Sequence, residues 1–439
     1  MPLPEEPLIR QLVDNLAVYI QKDRVLNEYY EGAHNPDYRG WNVPPPMTNL
    51  ELRVDWPGIV VDTIEERLDW LGWTGPNADL LDGVYDDNQL QVHAAQGHLD
   101  ALVYGTAFVT VQGVGNQPVI ECRPPTNTTG KLNKLTGRLD AALTITSAAD
   151  GAPDTVTLWT DRDMVIAHRV GGAWLEDVRA KNTFGRVPVV MLANRTRTSR
   201  PEGRSEITRA IRSLTDEAYR VLLSMAVNRE FFQVPQRVML GVDPTLFDTP
   251  DKRWKGLMGQ ILGISKDEEG DVPKLDEYAA QPIQPYLDQI AGLASQVAAA
   301  AGLPDEYFGI HTANPASADA IRAAEARLVK KAERRQATFG LAWADVARLA
   351  TRALGRPESD ADGIQCWWRD AATPTQAATA DATTKLVAAG VLPPTSTITL
   401  RRLGLTPDEQ AHVQADWAAR PSPAMALADA AVRQSGTTG

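Results

Sequence analysis

The sequence predicts an α+β protein organised around one very long helix. Three observations predict it. Residues 282–354 read as helix, loop, helix, and the second helix runs from near Ala316 past Arg352 without an internal proline. Between Gly105 and Pro201 the apolar period changes from 3.6 residues to 2. Residues 233–281 read as a small β module inserted between two helices, 204–232 and 283–301.

In chain order, residues 4–30 carry Leu8, Leu12, Leu16, Tyr19 and Ile20 at helical spacing, with Asp14 and Lys22 on the other side. They form an amphipathic helix of about six or seven turns. Three consecutive prolines at 44–46 exclude helix there. Trp56-Pro57-Gly58 is a break, and Ile59 to Leu71 is expected to be a second helix, with Val60, Ile64 and Leu68 every four residues. Residues 76–104 read as a helix pair, with Asn77 or Asp79 as cap and Gly105 as stop.

From Gly105 the segments TAFVTVQG, QPVIECR, RLDAALTIT, DTVTLWT, DMVIAHR, AWLEDVR and VPVVMLA alternate as strands. Turn-forming GVGN, TNTTGKLNKLTG, AADGAPD and VGG separate most of them. Residues 105–193 are a mostly antiparallel β unit, and 1–193 read as one α/β domain. A helix of about eight turns follows, with Ser205 as candidate cap, ending before Pro235. QVPQRVMLGV, GQILGIS and PKLDEYAA are strands of the inserted module.

The helix IQPYLDQIAGLASQVAAAAG is small and apolar and stops at Gly302. Pro304, Gly309 and Pro315 break the loop that follows. At ~1.5 Å per residue the next helix is on the order of 50 Å long, well beyond an ordinary globular helix. After Gly355-Arg356-Pro357 come one strand, IQCWWRD, a helix over TPTQAATADATTKLVAAGVL and a pair of short helices to residue 420. The last residues are small, polar and expected to fray.

The chain has 439 residues and a net charge of −12. Residues 1–100 hold 18 Asp and Glu against 6 Lys and Arg, so they carry the whole imbalance. A uniformly basic nucleic-acid binder is excluded. Arginine outnumbers lysine 33 to 11 and alanine is abundant, which reads as a GC-rich genome. No run of 18 apolar residues predicts a membrane span, and the acidic N-terminus lacks a secretory pattern. Cys122 and Cys366, far apart in sequence, form neither a metal pattern nor a disulfide framework, which suits a reducing compartment.

Catalytic signatures are missing from the sequence: no phosphate-cradling GxxxxGK[ST], no HExxH, no CxxC and no GxSxG. Asp161 and Asp163, Asp86 and Asp87, and KDEEGD at 266–271 are paired acids. Asp favours turns, so they read as solvated turns. His93 and His98 lie five apart and do not share the i,i+4 face of a metal pair. No cofactor and no enzymatic activity are expected. Arg327, Lys330, Lys331 and Arg334 lie three to four apart on the long helix and form one basic stripe. Three readings stay open for it: a solvated face, contact with phosphate, or contact with an acidic neighbouring subunit.

Taken in order, these pieces resemble the portal (head-to-tail connector) proteins of tailed double-stranded DNA phages, siphophage type. The resemblance runs through YYEGAH at 29–34, DALVYGTAFVTV at 100–111, GRSEITRAIRSLTDEAYRVL at 203–222 and LPDEYFGIHTANPASADAIRAAEARL at 303–328. It implies a portal-type fold with an α/β wing (1–202), a stem helix (203–232), a β clip (233–281) and a second stem helix (282–302). A tunnel loop (303–316), a long wing helix (317–355), a helical crown (356–420) and a flexible tail (421–439) follow. The implied assembly is a ring, typically of about twelve subunits, at one capsid vertex of the virion, assembled in the host cytoplasm. Double-stranded DNA passes through it without sequence readout during packaging and ejection.

The implied partners are further copies of the chain, the terminase large subunit, major capsid and scaffolding proteins and a head-completion or adaptor protein, with no membrane. The ring would also nucleate procapsid assembly. Tyr307, Phe308, His311, Thr312 and Asn314 are expected on the loop nearest DNA. Tyr307 and Phe308 packing against a neighbouring subunit is the competing reading. Asp243, Phe247, Lys252, Arg253, Trp254, Lys266 and Glu268 are expected at the clip, where terminase and adaptor dock. Another virion structural protein, such as a minor capsid or adaptor protein, is the alternative. A nuclease using Asp161 and Asp163 is a third.

Overall fold

A computed structural model describes residues 3–37, 43–44, 47, 50–115, 117–149, 152–231, 236–240, 274–278, 281–310, 318–372, 376–405 and 407–419. The chain divides into two compact units, Met1–Ala371 and Ala372–Gly439.

In the first unit, α1 (Glu6–Tyr30) is the amphipathic helix the leucine spacing predicts. Its buried face is Ile9, Leu12, Leu16, Asp23, Leu26 and Tyr29. Tyr19 and Ile20, expected inside, are instead 51% and 41% exposed. Helix α2 (Trp56–Glu65) starts at Trp56 rather than after Gly58. Proline is tolerated in a first helical turn, whose N–H groups have no intrahelical acceptor, so Pro57 opens this helix. The expected continuation to Leu71 does not form: Trp70–Thr74 is strand β1. That strand pairs antiparallel with β12 (Gln365–Trp368), Trp70 opposite Trp368 and Trp73 opposite Cys366. A partner some 290 residues away leaves no local signal.

A 3₁₀ turn at Ala78–Leu81, α3 (Asp82–Asp87) and α4 (Leu90–Tyr104) make the expected helical pair. Asn77 does not cap it with its side chain. It sits in the left-handed region (φ 57°) and its amide donates to the Asp360 carbonyl instead. Gly105 (φ 99°) ends α4 as expected.

The β unit is two sheets. Strands β2 (Thr106–Val114), β3 (Gln117–Arg123) and β9 (Val189–Ala193) form a three-stranded sheet in the order β3-β2-β9. Strands β4 (Thr128–Leu132), β5 (Leu139–Ala149), β6 (Ala152–Trp159), β7 (Asp163–Val170) and β8 (Ala173–Lys181) form an antiparallel meander. Sequence reading leaves β4 inside a turn, because TTGKL has no apolar alternation; its pairing to β5 makes it a strand. The N-terminal half of α1 covers the meander, with Ile9 and Leu12 packed among Leu143, Val156, Leu158 and Val165. Phe108, Leu139, Trp159, Val187 and Val189 join the two sheets.

Helix α5 (Arg209–Phe231) begins four residues after the expected cap. Thr208 occupies the cap position, its hydroxyl accepting from the Ile211 N–H at 3.4 Å and its carbonyl from the Arg212 N–H at 3.0 Å. Ser205 accepts from the Ile207 N–H in a local turn. The Glu206 N–H is already donated to the Leu102 carbonyl (2.9 Å), so this backbone is tied to α4 and cannot join the helix. Strands β10 (Gln236–Leu240) and β11 (Lys274–Tyr278) pair antiparallel, Gln236 opposite Tyr278 and Leu240 opposite Lys274. Helix α6 (Gln284–Ala301) ends at Gly302 in the left-handed region.

The long helix is α7, Ala318–Ala353, 36 residues. Its face of Leu328, Ala332, Phe339, Trp343, Val346 and Ala350 enters the main core with α2, α4, β2, α5 and α6. Trp343 anchors the centre. It stacks on Trp70 at 4.3 Å, its carbonyl accepts from Trp73 Nε1 at 3.0 Å, and its own Nε1 donates to His98 Nε2 at 2.8 Å. His98 is therefore a core residue. Burial pushes its pKa down to about 3, so it stays neutral.

The second unit holds α8 (Gln376–Ala388), α9 (Thr397–Arg402) and α10 (Pro407–Ala418). Ser396 caps α9 by accepting from the Ile398 N–H.

Candidate functional site

The loop between α6 and α7 is moored by side chains of which sequence reading singled out Tyr307 but not Arg67, Glu325, Ser295 or Asp305. After Gly302, the Gly302 and Leu303 N–H groups both donate to the Ala298 carbonyl, closing the helix end. A 3₁₀ turn, Asp305–Phe308, follows. Ser295 Oγ donates to Asp305 Oδ2 at 3.0 Å, tying the turn back to α6. The Tyr307 hydroxyl donates to Glu325 Oε1 at 2.9 Å and accepts from Arg67 Nη2 at 3.2 Å. Arg67 Nη2 also donates to Glu325 Oε1 (3.1 Å), and Nη1 to the Ala371 carbonyl (2.8 Å).

The Arg67 side chain is only 9% exposed. A buried guanidinium needs acceptors on most of its N–H groups, and the loop, α7 and the Ala371 carbonyl supply them. Burial, opposed by the Arg67 hydrogen bond and reinforced by Glu325, holds the Tyr307 phenol above its ordinary pKa and protonated. Phe308 is half-buried against the main core. His311, Thr312 and Asn314 lie outside the described residues.

The basic stripe divides when placed on α7. Lys330 pairs with Glu333 at 2.7 Å on the exposed side, and Arg334 is also exposed. Arg327 and Lys331 turn towards the C-terminal end of α6. Arg327 Nη1 donates to the Ala299 carbonyl at 3.2 Å and Lys331 Nζ to the Ala301 carbonyl. Cations at the last carbonyls of a helix complement its dipole, so these two residues cap α6 from outside.

Below them lies a second cluster. Glu206 is 1% exposed and accepts from Arg335 Nε (3.1 Å) and Nη2, from Asn194 Nδ2 (3.2 Å) and from Arg195 Nη1 (3.3 Å), with Lys331 Nζ at 3.7 Å. Burial pushes this carboxyl up; the charges of Arg335, Lys331 and Arg195 outweigh it and hold the pKa below the usual range. Lys331 is shifted down, first by burial and then, against the pull of Glu206, by Arg335 and its neighbours. Three cations thus share one carboxylate, and Lys331 is the surplus one. Further along α7, Asp345 receives Arg186 through two bonds (2.9 and 3.0 Å) and Arg138 at 3.0 Å. Arg186 also reaches Glu358.

Glu206 and Asp345 therefore pin the long helix at two points, to the segment between β9 and α5 and to the residues preceding β5 and β9. Neither is legible in sequence, since each is one acid among many and the contacts that join it across α7, Glu206–Arg335 and Arg186–Asp345, span 129 and 159 residues.

The antiparallel pairing of β10 and β11 brings residues 240 and 274 together, so the chain between them leaves and returns at one point. Asp243, Phe247, Lys252, Arg253, Trp254, Lys266 and Glu268 lie in that excursion, outside the described residues. Of the paired acids, Asp163 is held by Arg179 at 3.0 Å. Among the described residues no group of three or more His, Cys, Asp or Glu is placed to hold a metal ion. No described helix is long and apolar enough to cross a membrane.

With this architecture in view, a family profile for phage portal proteins, SPP1 Gp6-like, matches residues 10–415. The chain belongs to the phage portal protein family. A portal protein of Mycobacterium phage D29 is 36% identical over 390 residues, covering 84% of this chain and 80% of that one. The portal protein of Mycobacterium phage L5 is 34% identical over 416 residues, covering 89% and 85%. Among solved structures, a chain from the virion of a native gene transfer agent particle aligns with a TM-score of 0.45 at 15% identity, over 90% of this chain and 99% of that one. A chain from the neck of the native particle, computed with C12 symmetry, aligns with a TM-score of 0.45 at 16% identity, over 80% and 90%.

Proposed function

We propose that copies of this chain close into a ring of about twelve subunits at one capsid vertex and form the conduit for double-stranded DNA. The observation that carries this reading is the family match across nearly the whole chain. It coincides with one continuous order of elements: helix α5, the β10–β11 hairpin, helix α6, a moored loop and the 36-residue helix α7. In this reading residues 1–202 form the wing, α5 and α6 the stem, 233–281 the clip, 303–316 the tunnel loop, α7 the wing helix and 356–420 the crown. A ring needs head-to-tail contacts between unlike surfaces. A conduit also has to let its cargo slide. Each phosphate neutralised by a fixed cation adds affinity through counterion release, so a chain at −12 suits passage better than a basic one.

The chain is a structural component of the virion in this reading, with no catalytic step of its own. A separate terminase ATPase supplies the motor and docks on the 241–273 excursion, which a head-completion or adaptor protein later occupies. Capsid and scaffolding proteins meet the ring during assembly.

Electron microscopy and native mass spectrometry of the purified protein are expected to show a closed ring with a central channel. A stable monomer under capsid-assembly conditions refutes the reading. Deleting residues 241–275 is expected to abolish terminase docking while rings still form. Loss of the ring itself would place the excursion in assembly rather than docking. Tyr307→Ser with Phe308→Ser is expected to impair packaging more than assembly, and the reverse would assign those residues to subunit contact.

A further inference from the structure

Immediately before α5 the chain makes a compact hairpin that concentrates positive charge. Residues 195–204 hold Arg195, Arg197, Arg200 and Arg204 against a single acid, Glu202. Arg197 and Arg200 exchange backbone hydrogen bonds in both directions, at 3.3 and 2.8 Å. The root is locked by backbone. The Asn194 N–H donates to the Gly105 carbonyl (3.0 Å), the Arg204 N–H to the Asn194 carbonyl (2.7 Å), and Asn194 Nδ2 to the Arg204 carbonyl (3.0 Å).

Gly105 and Gly203 meet there, both at positive φ. A Cβ on Gly105 would lie 2.7 Å from Arg204 Cα, and one on Gly203 would collide with the Gly105 carbonyl. A loop fixed in this way loses little freedom on binding.

The charges it presents are not spent within the chain. Arg195 reaches Glu206, but Arg197, Arg200 and Arg204 have no carboxylate at ion-pair distance among the described residues. Arg197 and Arg200 are exposed. Arg204 feels the crowding: the Arg195 charge, then burial, then Arg197 and Arg200 hold its guanidinium below its ordinary pKa. Three uncompensated like charges on a rigid turn are unfavourable alone and become favourable against an anionic surface.

The same chain carries the complementary surface. On and beside α2, Glu31, Asp55, Asp62 and Glu66 are exposed, and none has a cation at ion-pair distance among the described residues. They repel one another. Asp55 is pushed up by burial, Asp62 and Glu31, and Glu65 up to about 7 by burial, Asp69, Asp62 and Glu66. Among the described residues, Asp62 accepts from the Tyr30 hydroxyl at 3.0 Å but from no cation, and these acids form no ion pair with the hairpin arginines of the same copy, which is the arrangement a head-to-tail contact between copies requires.

Resting on the ring reading above, we propose that the arginine hairpin at 195–204 seats on the acid-rich surface around α2 of the neighbouring copy. Duplex phosphate is the competing anion. Arginines fixed on every subunit would grip a passing duplex, whereas a neighbouring copy offers its acids at one-to-one stoichiometry.

The test uses the full chain and three preparations: wild type, the hairpin reversal Arg197→Glu with Arg200→Glu, and the acid reversal Asp62→Lys with Glu66→Lys. Circular dichroism melts first establish that each folds. Sedimentation velocity and native mass spectrometry then give the protein concentration at half assembly in about 0.1 M salt, where exposed charges still interact. Each reversal alone is expected to raise that concentration roughly tenfold or more. An equimolar mixture of the two reversals is expected to assemble near the wild-type concentration. In an alternating ring every contact then pairs either two native or two reversed surfaces.

Wild-type-like assembly of the hairpin reversal overturns the proposal, as does a mixture no better than its components. Intact rings with weakened binding of a short duplex by fluorescence anisotropy assign the hairpin to phosphate and also overturn it. If the wild type forms no ring at all, it is the underlying ring reading that fails.

Discussion

Replacing Glu206 with glutamine tests how the long helix is held. The substitution keeps size and one acceptor oxygen but removes the charge that Arg335, Arg195 and Lys331 share. At an effective dielectric of about 20, one such pair at ~4 Å is worth about 4 kcal/mol before desolvation. Arg335 stays buried and loses its counter-charge, and removing one partner of a buried ion pair costs about 3–5 kcal/mol. Arg195 is 30% exposed and recovers part of its loss through water.

Urea unfolding should show that loss for Glu206→Gln and almost none for the exposed Glu202→Gln. Hydrogen exchange should place it, with amides of residues 328–339 exchanging about a hundredfold faster or more. The pH dependence has a defined sign. The folded pKa of Glu206 lies below its unfolded value, so its contribution is full above the unfolded pKa and disappears as pH falls through the folded one. Wild type and variant should therefore converge in acid. A loss under about 1 kcal/mol at neutral pH would refute the role assigned to this carboxylate.

Three further outcomes are expected. Lys331→Met should cost within about 1 kcal/mol in urea unfolding, because Lys331 is the surplus cation of the cluster, while Arg335→Met should cost several times more in the same measurement. Gly97→Val should destabilise by about 1–3 kcal/mol in thermal melts, since a Cβ at Gly97 would already sit 2.8 Å from Cys122 Sγ. Glu65→Gln should stabilise the protein at pH 8 by on the order of 1 kcal/mol after solvent screening. The folded Glu65 carboxyl is raised to about 7, so the penalty builds as pH rises from about 4.5 to 7 and is full above that, and the gain should vanish below about pH 4.5, where both states are protonated.

What sequence reading recovered is what local periodicity encodes. Helix α7 announces itself by thirty-odd residues without a proline, and β2, β3 and β5 to β9 by alternation between turn residues. It failed where a distant partner decides. Residues 66–71 have a helical apolar spacing, yet the pairing of Trp70 with Trp368 makes a strand. Ser205 is a good cap in isolation, but the bond from Glu206 to Leu102 delays the helix to Arg209. The site divides in the same way. The basic stripe was legible as a pattern, but its sorting into outward Lys330 and Arg334 and inward Arg327 and Lys331 depends on the carbonyls at the end of α6. Arg67, Glu206 and Asp345 gave no signal, because a single charged residue acquires meaning only from what folds against it.

The mooring of α7 has a mechanical consequence. Its clamps at Arg335 and Asp345 are ten residues, or ~15 Å, apart, and its N-terminal end lies ~26 Å beyond the nearer one. A tilt of about 5° at Arg335 therefore moves that end by about 2 Å on simple lever geometry. Arg67, just beyond the end of α2, holds Tyr307 and Glu325 in a single grip. Because Arg67 also donates to the Ala371 carbonyl, this grip is a third clamp, and it ties the turn at 305–308 and the helix at Glu325 to the same body, so a rotation of α7 about Arg335 is resisted at the loop.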